Sequence, residues 1–248
     1  MIQNFFYGIG EYTLLMGKVF RKPDKGRMFW RQMSKEMGKQ GLESILITLI
    51  VSVFMGAIMT LQTKLNTENP LLPAYSTGLV TRDCILLEFS STILCLLLAG
   101  KVGSNMASEI GTMRITEQID AMEMMGVNSA GFLVLPKVVA STILSPLLML
   151  FSLALGLVGG WVVVSATHII PPPSYITGIK AFDNGFYVFY SCFKMSLFCF
   201  MISSIAAFLG YYAKGGSLGV GRSSTKTIVV TSILILMADL IVTQLMLY

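Results

Sequence analysis

The chain has 248 residues, of which 54% are hydrophobic and only 12% charged, with a formal net charge of +5 and mean hydropathy +0.73. A soluble globular domain carries about 25% charged residues, so this composition makes lipid the main solvent and gives no reason to expect a nucleic-acid partner. Several apolar runs exceed the ~18 residues of a membrane span. No polar stretch is longer than about 40 residues, too short for a separate catalytic domain beside the spans.

Residues 2–20 are apolar but interrupted by Glu11 and Lys18, and the basic segment "RKPDKGRMFWRQMSKEMGK" follows. This pattern predicts an interfacial amphipathic helix on an anionic membrane surface, within a segment 1–41 that precedes a five-span membrane domain at 42–248. The basic residues come after the apolar stretch and no small-residue cleavage site is seen, so a signal peptide is not expected. Five spans are then expected at about 42–62, 84–106, 132–166, 184–212 and 226–247. Between the first two, 63–78 forms an outer loop. The third run is long enough for a helical hairpin around Pro146 and Gly156, Gly159 and Gly160, or for one long tilted helix.

Charge decides between them. With a single third helix and the N-terminus inside, segments 1–41, 101–137 and 213–227 hold eight, three and three Lys/Arg, while 63–83, 167–183 and the C-terminus hold two, one and none. Fourteen against three obeys the positive-inside rule, and a hairpin would move Lys214, Arg222 and Lys226 outside. The expected fold is therefore an all-α polytopic membrane protein with five transmembrane helices, N-terminus in and C-terminus out.

The stretch "EIGTMRITEQIDAMEMM" (109–125) lies on the inner side and holds four of the thirteen acidic residues. Its apolar members Ile110, Met113, Ile119, Met122 and Met125 fall at spacings of three or six, with Ile115 and Met124 off that line, and Glu117, Asp120 and Glu123 recur on another face. A cytoplasmic amphipathic helix of this kind docks a methionine-rich side, here Met122, Met124 and Met125, into a partner groove. A plain solvated face is the alternative. Chemistry is the weakest reading, because His168, the chain's sole histidine, lies on the opposite side and no nucleophile is near.

Ionisable residues at membrane depth are functional candidates by default. Glu88, Lys194 and Asp239 fall in this class, with Lys194 the weakest because it can snorkel; Glu109 stands at the inner end of the second span. The remaining features invite structural readings. "GSLGVGRS" (216–223) is one residue from a phosphate-binding loop but lacks the lysine and the preceding strand. A glycine-rich turn with Ser223 or Ser224 capping the last span fits better. "PPPSY" (171–175) reads as a stiff turn, Gly100, Gly103 and Ala107 as a close-packing face, and the four cysteines as small apolar residues.

Three long stretches, "FMGAIMTLQ" (54–62), "LLLAGKVGSNMASEIGTMRITEQIDAMEMMGV" (96–127) and "GGSLGVGRSSTKTIVVTSILILMADLIVTQLML" (215–247), resemble the MlaE (YrbE) family of bacterial lipid-transport ABC permeases. The resemblance implies a homodimeric inner-membrane permease that moves phospholipid between membranes. It also implies a cytoplasmic ATPase that holds the ATP and magnesium, this chain carrying no cofactor, and a periplasmic MCE-domain protein; a small STAS-like subunit is a further candidate partner. Arg114, Glu117, Asp120, Met122, Glu123, Met124 and Met125 would then belong to the coupling helix. A lipid cavity at the dimer interface would be rimmed by Gln62, Glu88 and Glu109. The chain departs from the family's Arg-Glu-Leu-Gly-Pro sequence, since "LLEFSS" (86–91) keeps only the glutamate. Two rivals stay open: an intramembrane enzyme using Glu88, Glu109 or Glu123, and an ion-coupled carrier with Asp239 and Lys194 as a relay.

Overall fold

The computed structural model describes residues 2–20, 26–67, 73–182 and 184–247. They are almost entirely helical, and no strand occurs among them. Eight elements follow in order: α1 (Ile2–Val19), α2 (Gly26–Asn66), α3 (Ser76–Ile115), α4 (Gln118–Met124), α5 (Ser129–Thr167), α6 (Pro172–Lys180), α7 (Gly185–Tyr211) and α8 (Gly216–Leu247). Five of them, α2, α3, α5, α7 and α8, are long and apolar enough to cross a membrane. An all-helical build is what lipid demands, because only a helix satisfies every backbone polar group within its own segment.

The expected span positions hold, but the helices overrun them. α2 runs unbroken through positions 41 and 42, so most of the basic segment is the first turns of the spanning helix. Residues 21–25 of that segment, and 68–72 of the loop 63–78, lie outside the described residues. The third run is one helix, as the charge pattern required.

Three local expectations fail. "PPPSY" is not a turn: Pro172 and Pro173 open α6, since proline's fixed φ suits a first helical turn, where its missing N–H has no partner to lose. "GSLGVGRS" is the start of α8, not a loop, and Ser224 donates to the Ser104 carbonyl instead of capping a span. Here packing overrides glycine propensity, because Val220 is buried and would touch a Cβ placed on Gly111 at 3.4 Å. The third is the stretch 109–125, which does not form one helix. α3 ends at Ile115, Glu117 turns left-handed at φ 59°, and α4 starts anew.

The chain divides into two compact units. The first takes its described residues from Met1–Leu42, Leu96–Leu144 and Leu197–Ala238. Its core joins Leu15 and Val19 of α1, Ile110 of α3, Ile119 of α4, Val134 of α5 and Ala206 of α7. Gly103 of the proposed close-packing face does meet neighbours, Ile202 and Thr227, whereas Gly100 faces open space. The second unit takes Glu43–Cys95, Ser145–Ser196 and Asp239–Tyr248. Within it α2 and α5 touch backbone to backbone: a Cβ on Gly56 would overlap the Gly156 carbonyl, and one on Gly159 the Val53 carbonyl. Small residues permit this approach, and dispersion plus the 2.8 Å Ser52–Ser152 hydrogen bond hold it, since lipid supplies no hydrophobic drive. Arg82 is buried and donates to the carbonyls of Ile179, Ala181 and Phe182, closing the C-terminal end of α6.

Candidate functional site: a membrane-depth charge cluster and an anchored short helix

α3 does not keep α-helical winding throughout. Residues Ile85–Ile93, in the second unit, form a π-helix, and so do Ala99–Gly103, in the first. Such wide turns are rare and concentrate at functional sites. The carbonyls of Leu86 and Leu87 in the first wide segment accept from Ser191 at 2.7 Å and from the Lys194 ammonium at 3.1 Å, both on α7. Partners outside the helix are what an altered ladder needs in a region without water.

That segment carries Glu88, and the fold brings Glu88, Lys194 and Asp239 together. Lys194 Nζ lies 3.1 Å from both oxygens of Glu88 and pairs with Asp239. Thr92 places its hydroxyl 3.1 Å from each carboxylate. Tyr190 puts its ring under the ammonium at 5.3 Å and its hydroxyl 2.8 Å from Thr243, which in turn lies 3.4 Å from Nζ. The Lys194 side chain is 0% exposed and Asp239 17%, against 43% for Glu88. Snorkelling is thus excluded: lysine buries itself wholly when its charge finds two carboxylates. Thr92, Tyr190 and Thr243 were not singled out from sequence. The available signal was spacing, since each lies four positions from a charged member, on the same helix face.

Glu109 belongs to the first unit and to a different network. Lys137 is buried and bridges Glu36 at 2.8 Å and Glu109 at 3.0 Å, while the exposed Lys39 also holds Glu109 at 3.0 Å. Two cations and two carboxylates balance, tying α2, α3 and α5. Gln62 lies exposed on α2. A cleft of the second unit, between α2, the π-helical segment and α5, is lined by Ser52, Met55, Phe89, Ser90 and Ser152 among others; Gln62, Glu88 and Glu109 do not line it.

The coupling candidates also sort by contact. Ile119 and Met122 of α4 pack inward on the first unit's core, whereas Met124 and Met125 are 85% and 71% exposed. Arg114 pairs with Asp120 and stacks over the Tyr211 ring at 5.8 Å. Glu123 accepts from Tyr211 at 2.6 Å and from Ser129 at 2.8 Å. Those two hydroxyls, with Arg114 and Lys18 adding favourable charge, hold its carboxyl below the ordinary glutamate range. Glu117 stays exposed at the bend. α4 is therefore a short helix fastened along one side and open along the other. Asn128 adds to the fastening, donating to the Lys18 carbonyl at the end of α1 while its oxygen accepts from Gly131 at the start of α5.

A family model described as Permease MlaE matches residues 33–245. A probable ABC transporter permease protein of Synechocystis sp. is 36% identical over 221 residues, covering 89% of this chain and 83% of that protein. A probable ABC transporter permease protein of Rickettsia prowazekii is 32% identical, covering 98% and 93%. The intermembrane phospholipid transport system permease protein MlaE of Haemophilus influenzae is 29% identical over 98% of this chain and 93% of its own. With five spanning helices and a match over nearly its whole length, the chain belongs to the MlaE family of ABC transporter permeases.

Proposed function

We propose that this chain is the membrane subunit of an ATP-driven complex that moves phospholipid between the inner and outer membranes of a bacterium. The observation that carries this reading is α4: a helix outside the spans, anchored by Glu123 and Arg114, that leaves Met124 and Met125 open. Methionine pairs of this kind suit an adaptable protein groove, and an ATPase docked there pushes on α3, α5 and α7 through the side chains that fasten α4. The named role of the Haemophilus relative supplies the cargo. Extracting a two-chain lipid from a bilayer costs ~0.8 kcal/mol per CH₂, so an external energy source is required.

α8 exposes Leu236, Met237, Leu240, Ile241 and Leu245. In a homodimer this face borders the second copy and a lipid cavity between the copies. α1 exposes Phe6, Tyr7 and Leu14, which suits a helix lying in the inner leaflet's interface with the N-terminus inside. The C-terminus then faces the periplasm, where an MCE-domain partner receives or delivers lipid; a STAS-like subunit would join the ATPase. The test is reconstitution of the complex in vesicles with labelled phospholipid. ATP-dependent lipid movement, lost when Met124 and Met125 are changed to Asp together, is expected. Movement that ignores ATP but collapses with a proton gradient would support an ion-coupled carrier instead.

A further inference from the structure

The charge cluster of the second unit is unbalanced, and the imbalance names a headgroup. Glu88 and Asp239 bring two negative charges and Lys194 one positive. The nearby ionisable groups leave that sum unchanged: Arg82 is paired with Asp83, and Cys84 and Tyr190 bring a thiol and a phenol. One surplus negative charge therefore sits at membrane depth, where an uncompensated charge is costly. Lys194 is fully buried, and its ammonium is already engaged by both carboxylates, the Leu87 carbonyl and Thr243. It has nothing left for an incoming phosphate. Asp239 is closed in by its neighbours, so Glu88, 43% exposed, is the member a ligand can reach.

We propose that Glu88 is the headgroup-selecting group of this permease and takes the primary ammonium of a zwitterionic amine headgroup in preference to an anionic headgroup without an amine. An ammonium compensates the surplus and donates hydrogen bonds to the carboxylate. A quaternary ammonium brings the charge but no N–H. A headgroup with phosphate alone meets like charge and finds the cluster's one cation, Lys194, already engaged.

The inference rests on the lipid-permease reading above, and the experiment separates the two. The intact complex is reconstituted in vesicles holding equal amounts of phosphatidylethanolamine, phosphatidylcholine and phosphatidylglycerol, and the lipid retained through repurification is quantified by mass spectrometry. Retention should follow that order, with roughly fivefold preference for the first over the last, the scale of one partly screened charge-assisted hydrogen bond. Glu88→Gln should bring the ratio within about twofold, and Glu88→Asp should keep it. The order among the three lipids in the unaltered protein tests the idea even where Glu88→Gln fails to assemble. Equal retention of all three, or an unchanged ratio in Glu88→Gln, with ATP-driven lipid movement intact, overturns this inference alone. No retained lipid and no ATP-driven movement overturns both. A flat headgroup profile with movement that rises as pH falls assigns the surplus charge to a bound proton and overturns the inference.

Discussion

Replacing Lys194 with methionine keeps most of the side chain's volume and deletes its charge. The ammonium lies 3.1 Å from Glu88 and pairs with Asp239. At an effective dielectric of ~20 a contact of 3.1 Å is worth roughly 5 kcal/mol of Coulomb energy, before the desolvation of the ions is set against it. Removing one partner of a buried pair costs about 3–5 kcal/mol, because the remaining charge is stranded. Glu88 is 43% exposed and recovers part of its loss by rotating towards water or a headgroup. Asp239, 17% exposed, cannot. The expected destabilisation of Lys194→Met is therefore ~3 kcal/mol, most of it from Asp239. In a detergent thermal-unfolding assay this corresponds to a fall in midpoint of roughly 6–12 °C. Adding Asp239→Asn should recover more than half of it, since the stranded charge goes with the mutation. A Lys194→Met protein within about 0.5 kcal/mol of wild type, or a double variant less stable than the single, would refute the reasoning.

The balanced network of the first unit predicts a contrast between two lysines. Lys137→Met, at a 6% exposed bridge, should cost ~3 kcal/mol, and Lys39→Met, at 48% exposure, less than about 1 kcal/mol in the same assay. Gly56→Val should prevent α2 and α5 from closing and lower the yield of folded protein, while Gly100→Ala, with open space beside it, should be neutral or stabilise by up to ~1 kcal/mol. Glu117→Gly should raise stability by roughly 0.5–1 kcal/mol, because the left-handed bend at φ 59° strains any residue with a Cβ. The lowered pKa of Glu123 makes its contribution present above the unfolded-state value of about 4.3 and lost as pH falls through the lower folded value. The midpoint difference between wild type and Tyr211→Phe should thus be constant near neutral pH and shrink on acidification below about pH 4. A difference that does not change with pH would show that Glu123 does not draw on that hydroxyl.

Much of the architecture was legible because lipid imposes a simple rule. Apolar runs of sufficient length must be helices, and Lys/Arg counts chose one third helix over a hairpin without any contact being known. The long motifs likewise placed the chain in its family. Local punctuation was less reliable. The prolines at 171–173 and the glycines at 215–221 carry the turn chemistry expected of loops, yet most of each segment is helical. Both signals describe a chain in water with no neighbours. At 172 proline costs nothing where a helix starts, and at 219–220 burial outweighs propensity.

What the sequence alone determined was which residues are out of place in a membrane: Glu88, Lys194 and Asp239 stand out by composition, each in its own apolar run. Only tertiary structure decided that they share one cluster, because they lie on three helices far apart in the chain, and partner choice across helices leaves no trace in any one of them. The same holds for the network of four charges that includes Lys137, and for Glu123, which reads as a solvated carboxylate until Tyr211 and Ser129 are placed against it. Periodicity reports the face a residue lies on; it carries no information about what that face meets. Where the meeting group bears charge, the difference is between a residue facing water and one that holds helices together.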